Sequence, residues 1–223
     1  MGNKKEENNN SFASDTSNRT KKEWAVALII LFIGLVIAHL GVSLFILANI
    51  GSDPFTVFVQ GLSGKIHLSV GQTHVIILTV LLLLQVFTTK GYIKPGSVVC
   101  AFCGGPIIDL GIWLFGSFIN DGTPVAARYI IFIAGCAILG LGISIVVNSN
   151  AGTGPNDLVS IILADKLTKI QFRYVRMAVD FTWVVVGVIL GGKIGAGTVI
   201  GILTVGPFTQ FFLPLTKKII GDI

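Results

Sequence analysis

Apolar positions along this chain come in long unbroken runs, without the 3.6-residue alternation of an amphipathic surface helix. From Trp24 to Ala48 a single residue, His39, can ionise. About 20 helical residues cross a hydrocarbon core of roughly 30 Å. Six segments of this kind lie at about 24–49, 70–89, 97–117, 129–149, 174–191 and 197–214. Two shorter segments, 54–63 and 155–167, each begin at the proline of a Gly-x-x-Pro sequence. Proline suits the first position of a helix, so both are predicted short helices, too short to span and re-entrant or interfacial by default. The pattern predicts an all-α polytopic membrane protein.

The same pattern occurs twice. Gly41, Asn49, Gly51 and Pro54 return as Gly142, Asn150, Gly152 and Pro155; 142 − 41 and 155 − 54 both give 101. The later stretch Gly91, Ile93, Gly96, Val98 returns at the same offset as Gly192, Ile194, Gly197, Val199, and Gly105-Pro106 returns as Gly206-Pro207. A gapless register over this length indicates an internal duplication, which decides architecture ahead of other signals. The expected division is a polar tail at 1–22, disordered for want of apolar surface, then membrane repeats at 23–120 and 121–223 forming one domain.

Charge changes the picture mainly through topology. Charged residues make up 12% of the chain, against about 25% in soluble domains. The net charge of +5 comes from basic residues between apolar runs, where they serve as membrane flanks; no nucleic-acid partner is expected. If the short segments do not cross, there are three spans per repeat and the halves are inverted. With the N-terminus inside, only Lys65, Arg128 and Lys193 then lie outside, in line with the positive-inside rule. Eight spans with parallel halves satisfy the charges equally; segment length favours six. Both termini are expected in the cytoplasm.

Two sets of residues are candidates for chemistry. The duplicated turns offer exposed backbone N–H groups and the positive ends of helix dipoles, and transporters with inverted repeats place interrupted helices at their substrate sites. The turn residues are Asn49, Gly51, Ser52 and Asp53 in the first copy, and Asn150, Gly152, Thr153, Asn156 and Asp157 in the second. A plain tight turn explains the same glycines and prolines. The second set is His39, Asp109 and Asp180, ionisable groups within apolar runs. These mark ion or proton paths when buried in a membrane, or simply interhelical hydrogen bonds. Their counterparts at the 101 offset are Gly140, Gln210 and Thr79, all uncharged. Cys100, Cys103 and Cys136 sit in apolar runs and are expected to pack. No metal-ligand cluster, nucleophile triad or phosphate-loop sequence occurs, so neither an enzyme nor a cofactor is expected.

The Gly41…Asn49-Ile-Gly51-Ser-Asp-Pro54 turn and the Gly195-Ala-Gly197-Thr-Val…Gly206-Pro207 stretch resemble the YitT/YczE-type bacterial integral membrane proteins, over about residues 24–215. The resemblance implies a multi-pass protein of the bacterial plasma membrane and supplies no catalytic residues. A chain ending at Ile223 is similar to the shorter YczE kind. The expected function is transport of an unknown small solute along a path between the repeats, in contact with membrane lipid, with homo-oligomerisation left open. The alternative is a non-transporting membrane partner that stabilises or localises another protein.

Overall fold

A computed structural model describes residues 19–89, 91–167 and 170–221. Eight helices occur among them: α1 (Lys21–Ala48), α2 (Pro54–Ile66), α3 (Val70–Thr88), α4 (Pro95–Gly116), α5 (Val125–Ser149), α6 (Pro155–Lys166), α7 (Phe172–Ile189) and α8 (Ala196–Ile220). Residues 1–18 of the expected tail lie outside the described residues, and Lys21 and Lys22 already belong to α1.

Local chemistry sets these boundaries. Thr20 and Glu23 form a capping box at the start of α1, and Ser69 and Gln72 form another at α3; each satisfies backbone N–H groups that have no partner within the helix. Asn49 and Asn150 end α1 and α5 in the left-handed conformation, with φ of 53° and 52°. Asparagine tolerates that region better than other non-glycine residues. Pro54, Pro95 and Pro155 open α2, α4 and α6, where a missing N–H costs nothing.

Five helices are long and apolar enough to cross a membrane: α1, α3, α4, α5 and α8. The expected sixth segment is α7, an 18-residue helix carrying Arg173, Arg176 and Asp180. Three charges in so short a helix put it outside the composition of an ordinary span, although its length is adequate. The two short helices have 13 and 12 residues, about 20 and 18 Å at ~1.5 Å per residue, less than a bilayer core.

The centre of the molecule is the antiparallel pair α1 and α5. Gly34 lies against Gly142 and Ile145, Gly41 against Gly135 and Leu139, so small residues let the two backbones approach closely. Phe45 stacks on Phe132 with ring centroids 4.4 Å apart, and both are fully buried beside Val42, Cys136 and Leu139. Helix α4 packs on the outer side of α1, α8 on that of α5, and α3 on α4. Helices α2 and α6 both contact α3 and α7. Cys100 and Cys136 are buried free thiols in apolar clusters.

Because α1 and α5 run in opposite directions, the turns after them lie at opposite ends of the pair. At one end Arg128 donates to the Ala48 carbonyl at 3.4 Å and Lys193 to Asn49 Oδ1 at 3.0 Å. At the other, Arg19 donates to the Asn150 carbonyl at 3.2 Å and Lys94 to Asn150 Oδ1 at 3.0 Å. Each turn is also bound by the opposite half of the chain. The Gly197 N–H donates to the Ile50 carbonyl and the Gly96 N–H to the Ala151 carbonyl, both at 2.9 Å.

Candidate functional site

After each turn the backbone is extended at the N-cap and then forms a short helix that starts inside and ends at the surface. Phe55 and Pro155 are buried, whereas Lys65, Ile66, Asp165 and Lys166 are exposed. Along α2 the contacts with α7 advance together: Phe55 meets Trp183, Phe58 meets Gly187, and Gly61 meets Leu190. The positive N-terminal ends of α2 and α6 therefore point into the bundle.

Ionisable groups gather around these two helix starts. Asp53 caps α2, its Oδ1 accepting from the Thr56 N–H at 3.2 Å, while its Oδ2 is buried with no hydrogen-bond partner among the described residues. Asp157, in the first turn of α6, pairs with Arg176 of α7 at 2.8 Å. Arg176 also reaches Asp180, one turn further along α7, at 3.3 Å. Asn156 donates its side-chain amide to Asp157 at 3.4 Å. Asp53 lies within the electrostatic range of both Asp157 and Asp180. The cluster thus sets three carboxyl groups against one guanidinium.

Uncharged polar groups complete the interior. Ser52 is fully buried; its N–H donates to Thr198 Oγ1 at 3.2 Å, and its own hydroxyl has no partner among the described residues. Ser97, the residue 101 positions before Thr198, lies against Gly152 in the second turn, and its buried hydroxyl likewise lacks a partner. Gln60, Thr73, His74, Gln85 and Ser160 each hold a further unpartnered buried polar atom among the described residues. Gln85 still ties α3 to α6, donating to the Pro155 carbonyl at 2.7 Å. Thr153 is half-buried between Gly152, where φ is 141°, and Gly154. Gly51, with φ of 131°, presses against the backbone of Thr198, so both turn glycines combine a left-handed backbone with close approach.

The other sequence-derived candidates separate from this cluster. Asn49 and Asn150 are helix caps held by lysines at opposite ends. A surface cleft of about 670 Å³ beside Asn49 and Gly51 is lined also by Tyr129, Lys193 and Ile194. Burial lowers the pKa of the Lys94 ammonium, with Arg19 acting in the same direction. Asp109 joins α4 to the start of α3, accepting from the Ser69 hydroxyl and from the Gly71 N–H at 2.9 Å. A carboxylate there complements the helix dipole. An apolar groove of about 480 Å³ formed by Leu68, Val75, Ile76 and Pro106 adjoins it. His39 faces inward from α1, and its ring meets His74 of α3 edge-on at 5.3 Å.

Two polar residues of the interior are not among the sequence-derived candidates, Arg176 and His74. Arg176 lies inside the predicted 174–191 segment, and its spacing from Asp180 is the i,i+4 spacing that pairs opposite charges on a helix. His74 satisfies the same criterion as His39, an ionisable group in an apolar run, but stands near the start of its segment.

Apolar helices of spanning length, packed through small residues and enclosing polar groups, define a polytopic integral membrane protein. The chain belongs to a family of unknown function, DUF6198, whose profile matches residues 25–214. It is similar to the uncharacterized protein YyaS of Bacillus subtilis (strain 168), with 31% identity over 186 residues, 83% of this chain and 92% of that protein. It also resembles the uncharacterized membrane protein YczE of the same organism, with 27% identity over 206 residues, 90% and 92% of the two chains. An uncharacterized protein of Haemophilus influenzae is 24% identical over 194 residues, 85% and 84% of the two chains. No solved structure matches.

Proposed function

We propose that this protein carries a small polar solute across the bacterial plasma membrane, along a path between two inverted halves with both termini in the cytoplasm. The observation that carries the reading is the set of buried polar atoms without partners among the described residues around the inward-pointing starts of α2 and α6. A buried polar atom left unpaired is costly, and polar groups inside a membrane mark solute and ion paths. Ser52, Asp53, Ser97, Thr153, Asp157, Arg176 and Asp180 line this path. The excess of carboxyl groups in the cluster favours a solute carrying a positive charge or hydrogen-bond donors. Inversion is supported by the antiparallel α1 and α5 and by the reciprocal bonds at the two turns. The role is that of a carrier, not an enzyme.

Thiol labelling tests the proposal. Single cysteines replace Lys22, Lys193, Ser52, Thr153 and Asp180 in a background lacking Cys100, Cys103 and Cys136. Each is probed with a membrane-impermeant reagent from each side of sealed vesicles. Lys22→Cys and Lys193→Cys should label from opposite sides, as should Ser52→Cys and Thr153→Cys, and Asp180→Cys should be reached through water from at least one side. Labelling of Lys22→Cys and Lys193→Cys from the same side would overturn the inverted arrangement. An Asp180→Cys variant inert from both sides would overturn the path. A dry interior would return the protein to the role of a membrane partner, docking through the apolar groove beside Asp109.

A further inference from the structure

His39 and His74 are the two histidines of the bundle interior; the third, His67, is an exposed C-cap of α2. Their rings meet edge to face, 84° apart in plane. The His39 Nδ1 lies 2.9 Å from the Leu35 carbonyl. A carbonyl only accepts, so Nδ1 carries the proton and Nε2 of the neutral ring keeps a lone pair. That Nε2 projects over Gly104 of α4. A side-chain carbon built on Gly104 would lie 2.6 Å from His39 Nε2 and 3.1 Å from His74 Nε2. The two nitrogens are therefore separated by at most the sum of those distances, 5.7 Å. His74 Nε2 is buried and has no partner among the described residues. Two imidazole nitrogens thus converge on space that any residue larger than glycine would fill, at a separation that a single water molecule can bridge.

We propose that His39 and His74 form a proton-binding pair that holds one proton between them, directly or through a bridging water. Protonation takes one proton from water onto a ring lone pair and adds one positive charge; no other bond changes. The second ring then stays neutral, because two adjacent imidazolium ions repel. Titratable groups stand on each of the neighbouring helices. Asp157 acts on His39 from α6. Helix α2 presents Phe55, whose ring meets His74 at 5.5 Å, with Asp53 two residues before it. Helix α4 carries Cys100 and Cys103 next to Gly104, helix α5 carries Cys136, and helix α7 supplies Arg176 and Asp180 through Asp157. The inference rests on the transport reading only in what it assigns the proton to drive, namely movement of the solute past the carboxylates. The site itself stands on the geometry of the two rings.

Nitrogen-15 histidine NMR of the full chain in lipid nanodiscs tests it, with His67 as the exposed reference. His39 should show the Nδ1–H tautomer when neutral. On acidification the His39 and His74 signals should move together, with a single proton bound by the pair. The His74→Gln variant should shift the His39 midpoint by about one pH unit or more, the size that marks coupled sites. Gly104→Ala should separate the rings and remove the coupling; if it does not fold, His74→Gln decides. Independent titration of the two rings, or two neutral rings at every pH at which the protein stays folded, would overturn the pair. Coupled rings beside an inert Asp180→Cys would retain the proton site and remove the solute path; the reverse result would retain the path alone.

Discussion

At the residue scale, equivalent positions in the two turns perform the same local task. Asn49 and Asn150 hold left-handed caps, and each side-chain oxygen accepts from a lysine of the other half. Asn49→Ala should destabilise by about 1–2 kcal/mol, the cost of that backbone region for an ordinary residue, plus the lost lysine contact. Asn49→Gly should retain most of the stability, since glycine enters the region without strain. Thermal unfolding of the two variants in detergent checks the order. The sequence showed that the asparagines were equivalent, but a cap and a ligand-binding amide look alike in sequence. Their partners at the caps, Lys193 and Lys94, lie 144 and 56 residues away.

At the element scale, the two halves of the chain differ most in how their last two helices meet. Gly71 and Gly105 bring the backbones of α3 and α4 into contact, and Asp109 fastens the start of α3. The corresponding residues in α7 and α8 are Phe172, Gly206 and Gln210, and a side chain on Gly206 would meet nothing within 4 Å. Helix α8 instead relies on α5, its main partner. Gly105→Ala should therefore force α3 and α4 apart, costing about 1–3 kcal/mol as overpacking does. Gly206→Ala should be neutral or add about 0.5–1 kcal/mol through helix propensity. The yield and melting temperature of the purified variants compare the two directly. Hydropathy located the long helices and the prolines located the short ones, because those signals are local. It placed α7 among the apolar segments without registering its charges, of which Arg176 pairs with Asp157 of α6 and with Asp180 of α7 itself. Nor could it foresee that Asp109 serves a helix end and not the interior, since that depends on how α3 meets α4.

At the scale of the whole molecule, the cluster of carboxylates exists only because two helix starts from the two halves of the chain point inward. Asp53 and Asp157 are 104 positions apart in sequence (157 − 53), and Arg176 connects the second of them to α7. Arg176→Gln should leave Asp157 and Asp180 uncompensated. The exposed parts of such pairs contribute no more than about 1 kcal/mol each, so the larger change should be in the labelling rate of Thr153→Cys. An unchanged rate would separate the ion pair from the path. The reciprocal bonds at the turns also bear on how the protein is made. The first hundred residues leave the ribosome with the Ile50 carbonyl and the Gly51–Thr198 contact still lacking their partners, and with α1 deprived of its largest neighbour. The first half must therefore wait in the membrane as an unfinished subunit until translation delivers α5 and the start of α8. Two separate polypeptides cut in the loop near Gly122 should accumulate only when expressed together, each surviving by completing the other.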